Sequence, residues 1–251
     1  MSRALLCVAF FSAVSAAKAP ATQAELDSLA ANGAWDEILE RAEDVPAASR
    51  GEPWKTVVVS AATARVTHRA SNAAEAFAAA VDADALQGRY RFLADREAFI
   101  TARDAAVNAG AQRCMKDRED QACWKALAHF EDTLSPAGGL ALGRLFKKNG
   151  WLPSRVMPLL AKGISGTDSA LCKDPEVQDV TVAALDAPGE EASAAAARRV
   201  AFEWCWVAMQ PKLRAAMVGA SSYRLRNACK PMRERKALSA LQLDLCTDEE
   251  Q

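Results

Sequence analysis

In the stretch AFEWCWVAMQ, residues 201–210, Cys205 stands between two tryptophans with a single carboxylate, Glu203, beside them. A cysteine in such a place can be a nucleophile, a metal ligand or half of a disulfide. Metal ligation has little to work with. The two histidines, His68 and His129, lie at no zinc-type spacing from a cysteine, and Cys114 and Cys123 are separated by eight residues where structural zinc sites use two to four. No EF-hand-like run of acids occurs, and the sequence implies no cofactor. A Ser/His/Asp set would have to use His129 in ALAHFEDTL, which reads as an ordinary helix face, and no G-x-S-x-G elbow is present. No C-x-x-C pair supports thiol oxidoreduction, and the glycines at 138–139 and 163–166 read as isolated turns, not as a phosphate loop.

Glu203 is the one weak catalytic candidate. It is the only charge between Arg199 and Lys212, and a carboxylate in apolar surroundings has a raised pKa suited to general-acid work. Glycan hydrolysis needs two carboxylates, and no second acid is placed with Glu203. Pairing with Arg199 one helical turn back is the simpler expectation.

The seven cysteines are better explained by export. The chain opens MSRALLCVAFFSAVSAAKAP: one basic residue, an apolar run from Ala4 to Val14, then small residues. That is the layout of a secretory leader, expected to be cleaved near Ala16 or Ala17. The run is shorter than the roughly 20 residues a membrane span needs, and the surroundings of Cys7 do not resemble a lipidation site. Beyond the leader remain Cys114, Cys123, Cys172, Cys205, Cys229 and Cys246. An even number in an exported chain implies three disulfides, for which 15 pairings exist. The location expected is periplasmic or extracellular, with no transmembrane span.

Charge is unevenly spread although the whole chain carries only −1. Residues 211–236 net +7, with Lys212, Arg214, Arg224, Arg226, Lys230, Arg233, Arg235 and Lys236 against Glu234 alone. Residues 25–52 and 168–191 each net −6. Either these are solvated faces that offset one another within the fold, or Arg224, Arg226, Lys230, Arg233, Arg235 and Lys236 bind an anionic envelope partner, protein or otherwise. Export argues against nucleic acid.

The elements that must position these groups are helical. Strand-type alternation is almost absent, and helix-period stripes recur between Gly, Pro and Asn breaks. Leu26, Leu29 and Ala30 form one stripe, Asn32-Gly33 ends it, and Trp35, Ile38, Leu39 and Ala42 form the next, so the two helices must be antiparallel. A third helix starts near Glu52 with Pro53 in its first turn and Trp54, Val57, Val58 and Ala61 inward. Further helices are expected over Asn72–Val81, Ala85–Leu93, Asp95–Met115 and Asp120–Leu134. Beyond them come GLALGRLFKKNGW, then LPSRVMPLLAKGI, kinked or started late by Pro158, and then a helix capped by Asp174 with Pro175 at its first position. Cys205 falls late in the helix that follows. Trp204 and Trp206 would point about 200° apart on it, so this helix is expected to be central and buried.

Helix geometry narrows the pairings. Cys114 ends one helix and Cys123 opens the next. Cys172 precedes one helix and Cys205 closes its antiparallel neighbour. Cys229 and Cys246 remain. Three sequential bridges follow as the expectation.

The segment ANGAWDEILERAEDVP resembles a tetratricopeptide-type helix pair, and the region from about Leu152 to Leu241 is similar to HEAT-type helical repeats. The resemblance is one of architecture and implies an α-solenoid that presents a groove to another molecule. The expected class is therefore all-α, of stacked antiparallel helical hairpins stapled by disulfides in the C-terminal half. The expected domains are a leader at 1–17, hairpins at 18–134 and HEAT-like repeats at 135–251. The expected role is binding or scaffolding of an envelope or extracellular partner; the alternative is an all-α envelope hydrolase acting on glycan.

Overall fold

A computed structural model describes residues 20–164, 169–186 and 191–217. Among these residues all regular structure is helical. The chain divides into two compact units, one up to Ala61 and one from Ala62.

The first unit holds α1 (Gln23–Ala31), α2 (Trp35–Arg41) and the first half of α3 (Glu52–Ala70). Thr22 caps α1 by accepting from the Glu25 amide at 3.3 Å. Gly33, at φ +68°, makes the left-handed turn into α2 that a side chain would resist. Leu26 of the first stripe, Ile38, Leu39 and Ala42 of the second, and Val45 beyond them are fully buried, whereas Leu29, Ala30 and Trp35 are half-buried. The Arg41 guanidinium pairs with Glu25 across the hairpin. Arg50 donates to the carbonyls of Val45 (2.9 Å) and Glu43 (2.8 Å), and its guanidinium lies 5.5 Å from the Trp54 ring centre. Trp54 in turn donates to the Ala42 carbonyl at 2.9 Å, so the loop's otherwise orphaned carbonyls are satisfied by side chains.

The second unit begins within α3 and continues through α4 (Ala76–Arg89), α5 (Glu97–Lys116), α6 (Gln121–Glu131), α7 (Pro136–Lys148), α8 (Pro153–Gly163), α9 (Pro175–Asp186), α10 (Glu191–Arg198) and α11 (Trp206–Met217). Neighbours in sequence are neighbours in space: α4 packs on α5, α5 on α6 and α7, α7 on α8, and α8 on α9 and α10. Phe99, Leu127, Phe130, Leu142, Phe146, Met157 and Leu160 make the core.

Two expected helices, Asn72–Val81 and Ala85–Leu93, are one helix, α4, followed by a 3-10 turn at Arg91–Asp95. Asp82 and Asp84, poor helix residues that fall in the expected gap, are held within α4 by ion pairs. Asp82 meets Arg65 at 2.7 Å, and Asp84 meets Arg103 at 2.5 Å. Gly138 and Gly139 are likewise not a turn; they lie inside α7, whose cap is Ser135. A Cβ at Gly139 would lie 2.9 Å from the Lys162 Cβ, and one at Gly143 would lie 2.8 Å from Leu160. These glycines let α7 and α8 approach closely. α8 starts at Pro153, not late, and runs through Pro158.

Candidate functional site

Two disulfides staple the second unit. Cys114–Cys123 ties the end of α5 to the start of α6, and Cys172–Cys205 ties the 3-10 turn before α9 to the junction between α10 and α11. Both pairings match the helix-geometry expectation. Cys229 and Cys246, the basic residues Arg224, Arg226, Lys230, Arg233, Arg235 and Lys236, and the leader all lie outside the described residues.

The expected continuous helix through Cys205 is broken. α10 ends at Arg198, and residues Arg199–Trp204 form a wide π-turn in which the Cys205 amide reaches back to the Val200 carbonyl at 2.8 Å. Cys205 itself, at φ −117° and ψ 17°, is out of helical geometry, and α11 restarts at Trp206. The extra residue in the wide turn shifts every later side chain around the axis. Val200, Ala201 and Phe202 therefore stay buried while Trp204 and Trp206 are half-exposed and Val207 is 86% exposed. The segment is thus a rim and not a central helix. Such π-turns recur at functional sites.

Beside the Cys172–Cys205 bridge lies a cleft of about 770 Å³, within the range of ligand sites. Trp204, Trp206, Val207 and Ala208 line it from the α10–α11 side; Ser169, Ala170, Lys173 and Gln178 line it from the α9 side. The Gln178 side chain is pinned: its amide nitrogen donates to the carbonyls of Cys172 at 3.0 Å and Ala208 at 3.2 Å. With both N–H groups used, the amide cannot flip, and its oxygen remains as an acceptor. Asp174 caps α9, accepting from the Glu176 amide at 2.8 Å. Burial is the largest single influence on its carboxyl and acts upward. The backbone N–H groups of Glu176 and Val177 and the Arg144 guanidinium outweigh it and hold the carboxyl below its ordinary range.

Glu203 lines the cleft, exposed, and faces Arg199 at 3.9 Å, one helical turn back. Among the described residues it is the only carboxylate in the lining. His129 is exposed at the edge of Phe130. No group of three metal-ligating side chains occurs among the described residues. Part of the acidic stretch 168–191 is neutralised within the fold: Asp174 meets Arg144 at 2.6 Å, Glu176 meets Lys147 at 3.6 Å, and Asp179 meets Lys212 of the basic stretch at 2.5 Å.

Sequence reasoning missed a buried polar node. Arg103 and Asp104 are only 5% and 4% exposed. Arg103 donates to the Thr133 carbonyl (3.1 Å) and hydroxyl (2.7 Å) as well as to Asp84. The Ser135 hydroxyl, which caps α7 by accepting from the Gly138 amide at 3.1 Å, donates to Asp104. The node ties α4, α5 and the start of α7 together. Its one sequence signal is Gly138, where a Cβ would collide with the Asp104 carboxylate.

Burial raises the Asp104 carboxyl against the opposing pull of Ser135 and Arg103. Burial likewise raises Glu131, against Arg155. A carboxyl with a raised folded pKa binds its proton more tightly in the folded than in the unfolded state. Stability from these two groups therefore increases as pH falls from neutrality toward about 4, the unfolded value. Asp174 acts in the opposite sense: its contribution is present above about 4 and is lost as pH falls through its lower folded value. In urea titrations from pH 7.5 to 4.5, Asp104→Asn with Glu131→Gln should remove the part of the midpoint's pH dependence that these carboxyls supply, a rise on acidification. An unchanged slope would show that the two carboxyls carry no such linkage.

The class that fold and site define is an all-α, disulfide-stapled protein with a cleft lined by two tryptophans. No family model, curated protein or solved structure matches the chain. Disulfides of this kind form in an oxidising, extracellular type of compartment, and among the described residues no helix is long and apolar enough to cross a membrane.

Proposed function

We propose that this chain is an exported helical-repeat protein, of HEAT or tetratricopeptide character, that binds or scaffolds an envelope or extracellular partner. The cleft beside Cys172–Cys205 is its binding face. One observation carries the reading: two half-exposed indoles and the 86% exposed Val207 are presented by a segment locked through a disulfide and a π-turn. Large aromatic side chains held rigid before binding lose little entropy when a partner docks. Helices packed in sequence order support the repeat character. The basic segment 211–236 supplies charge for an anionic partner, and the leader supplies export.

The hydrolase alternative draws on Glu203, but cleavage of a glycosidic bond uses two carboxylates about 5–9.5 Å apart. Glu203 stands in the lining without a second acid among the described residues, and its neighbour is a guanidinium.

A photo-crosslinking amino acid at Val207 should capture a discrete partner from the exported fraction, while the same group at Val81, 57% exposed on α4, should not. Charge reversal at Arg224, Arg226, Arg233 and Arg235 should weaken the capture. Identical products from both positions would count against the cleft as the binding face.

A further inference from the structure

We propose that the cleft holds a saccharide unit without cleaving it; the inference rests on the cleft being the binding face. The polar groups in the lining are of mixed sense. Lys173 offers an ammonium, Gln178 a fixed acceptor oxygen, Glu203 a carboxylate and Ser169 a hydroxyl. An anionic group inside the cleft would satisfy Lys173 and be repelled by Glu203, so the charge of an anionic partner falls to segment 211–236 and not to the cleft itself. An acyl chain would leave the acceptors facing apolar carbon, at the cost of an unpaired polar group. A hydroxyl donates and accepts, so a sugar ring can meet all four.

The indoles supply the other half of the recognition. Trp204 carries the Arg199 guanidinium over its ring at 5.5 Å, and Trp206 stacks on Phe202 with ring centres 6.1 Å apart and planes 24° apart. Each indole is thus braced by a neighbour while both line the cleft. An indole face is electron-rich, and the C–H groups on one side of a pyranose are polarised positive by the neighbouring oxygens, so the two surfaces attract. Gln178, Ala208 and the disulfide fix the spacing between the indole wall and the polar wall. The sugar is held and not hydrolysed because Glu203 has no second carboxylate in the described lining to activate water or to form a glycosyl ester.

Calorimetric titration of the full exported chain with tetrasaccharides of N-acetylglucosamine, of β-linked glucose and of α-linked glucose tests this. At least one should bind saturably and be recovered intact. Trp206→Ala and Gln178→Leu should each weaken it about tenfold, equivalent to about 1.4 kcal/mol, while Trp124→Ala, away from the cleft, leaves it unchanged. Lys173→Ala, at an exposed position, should weaken binding without unfolding the chain and so guards against a folding defect in the tryptophan variant. Failure of all three sugars to bind overturns the saccharide assignment, as does cleavage of the sugar or equal binding by the cleft variants. If the sugars fail while Val207 still captures a partner, the ligand class falls and the binding face stands. If both fail, the reading of the cleft falls with them.

Discussion

Arg103→Met is expected to lower the unfolding free energy by about 3–5 kcal/mol, the cost of stripping the partner from a buried charge. The arginine makes hydrogen bonds to Asp84 and twice to Thr133, stands 3.5 Å from Asp104, and lies over Phe130 with its guanidinium carbon 5.9 Å from the ring centre. Methionine fills similar volume but leaves the Asp104 carboxylate with Ser135 as its remaining partner, and leaves the Thr133 carbonyl unpaired. Adding Asp104→Leu should recover much of the loss, because an apolar pair of similar shape is tolerated where half an ion pair is not. A double-mutant cycle by urea unfolding measures this. If the double variant is as unstable as the sum of the singles, the two residues are not coupled and the node is not one unit.

Removing the Cys172–Cys205 bridge by alanine at both positions is expected to cost about 3–4 kcal/mol, since it frees a loop spanning 33 residues in the unfolded chain. Cys114–Cys123, with a separation of 9, should cost about 2–3 kcal/mol. The larger effect has a second consequence. Cys205 is the residue at which the helix breaks, so without the bridge nothing covalent holds the π-turn against the α9 side of the cleft. Thermal melts give the stability term. Loss of Val207 crosslinking at a temperature where the variant remains folded gives the local term. Equal melting temperatures for the two bridge variants would contradict the loop-length account.

The bridges were legible in the sequence because helix ends are. Cys114 and Cys123 flank a short turn between two periodic stripes, and Cys172 sits just ahead of the Asp174-Pro175 helix start. Antiparallel neighbours then leave little choice. The buried positions Leu26, Ile38 and Leu39 were legible for the same reason: period 3.6 records which face is inside. What sequence hid has a common cause, which is long-range partnering. Asp82 and Asp84 read as a helix break until Arg65 and Arg103 are placed beside them. Arg103 and Asp104 stand out from nothing else in the expected helix Asp95–Met115 until Thr133 and Ser135 close over them. AFEWCWVAMQ reads as a buried helix because apolar periodicity cannot register a one-residue π insertion. Gln178, the pinned side chain of the cleft, carries no sequence signal; its role comes from two carbonyls, one of them 30 residues away. The Glu203–Arg199 pairing follows from their i, i+4 spacing; the place of Glu203 at the rim of a cleft is the part that periodicity does not supply.

The most direct measurement of the central claim is the yield of partner crosslinked at Val207 in the wild type and in the Cys172→Ala/Cys205→Ala variant, at a temperature where both remain folded. If the disulfide-locked indole rim is the binding face, the wild type gives a discrete product and the variant loses most of it. An undiminished product without the bridge would contradict that account.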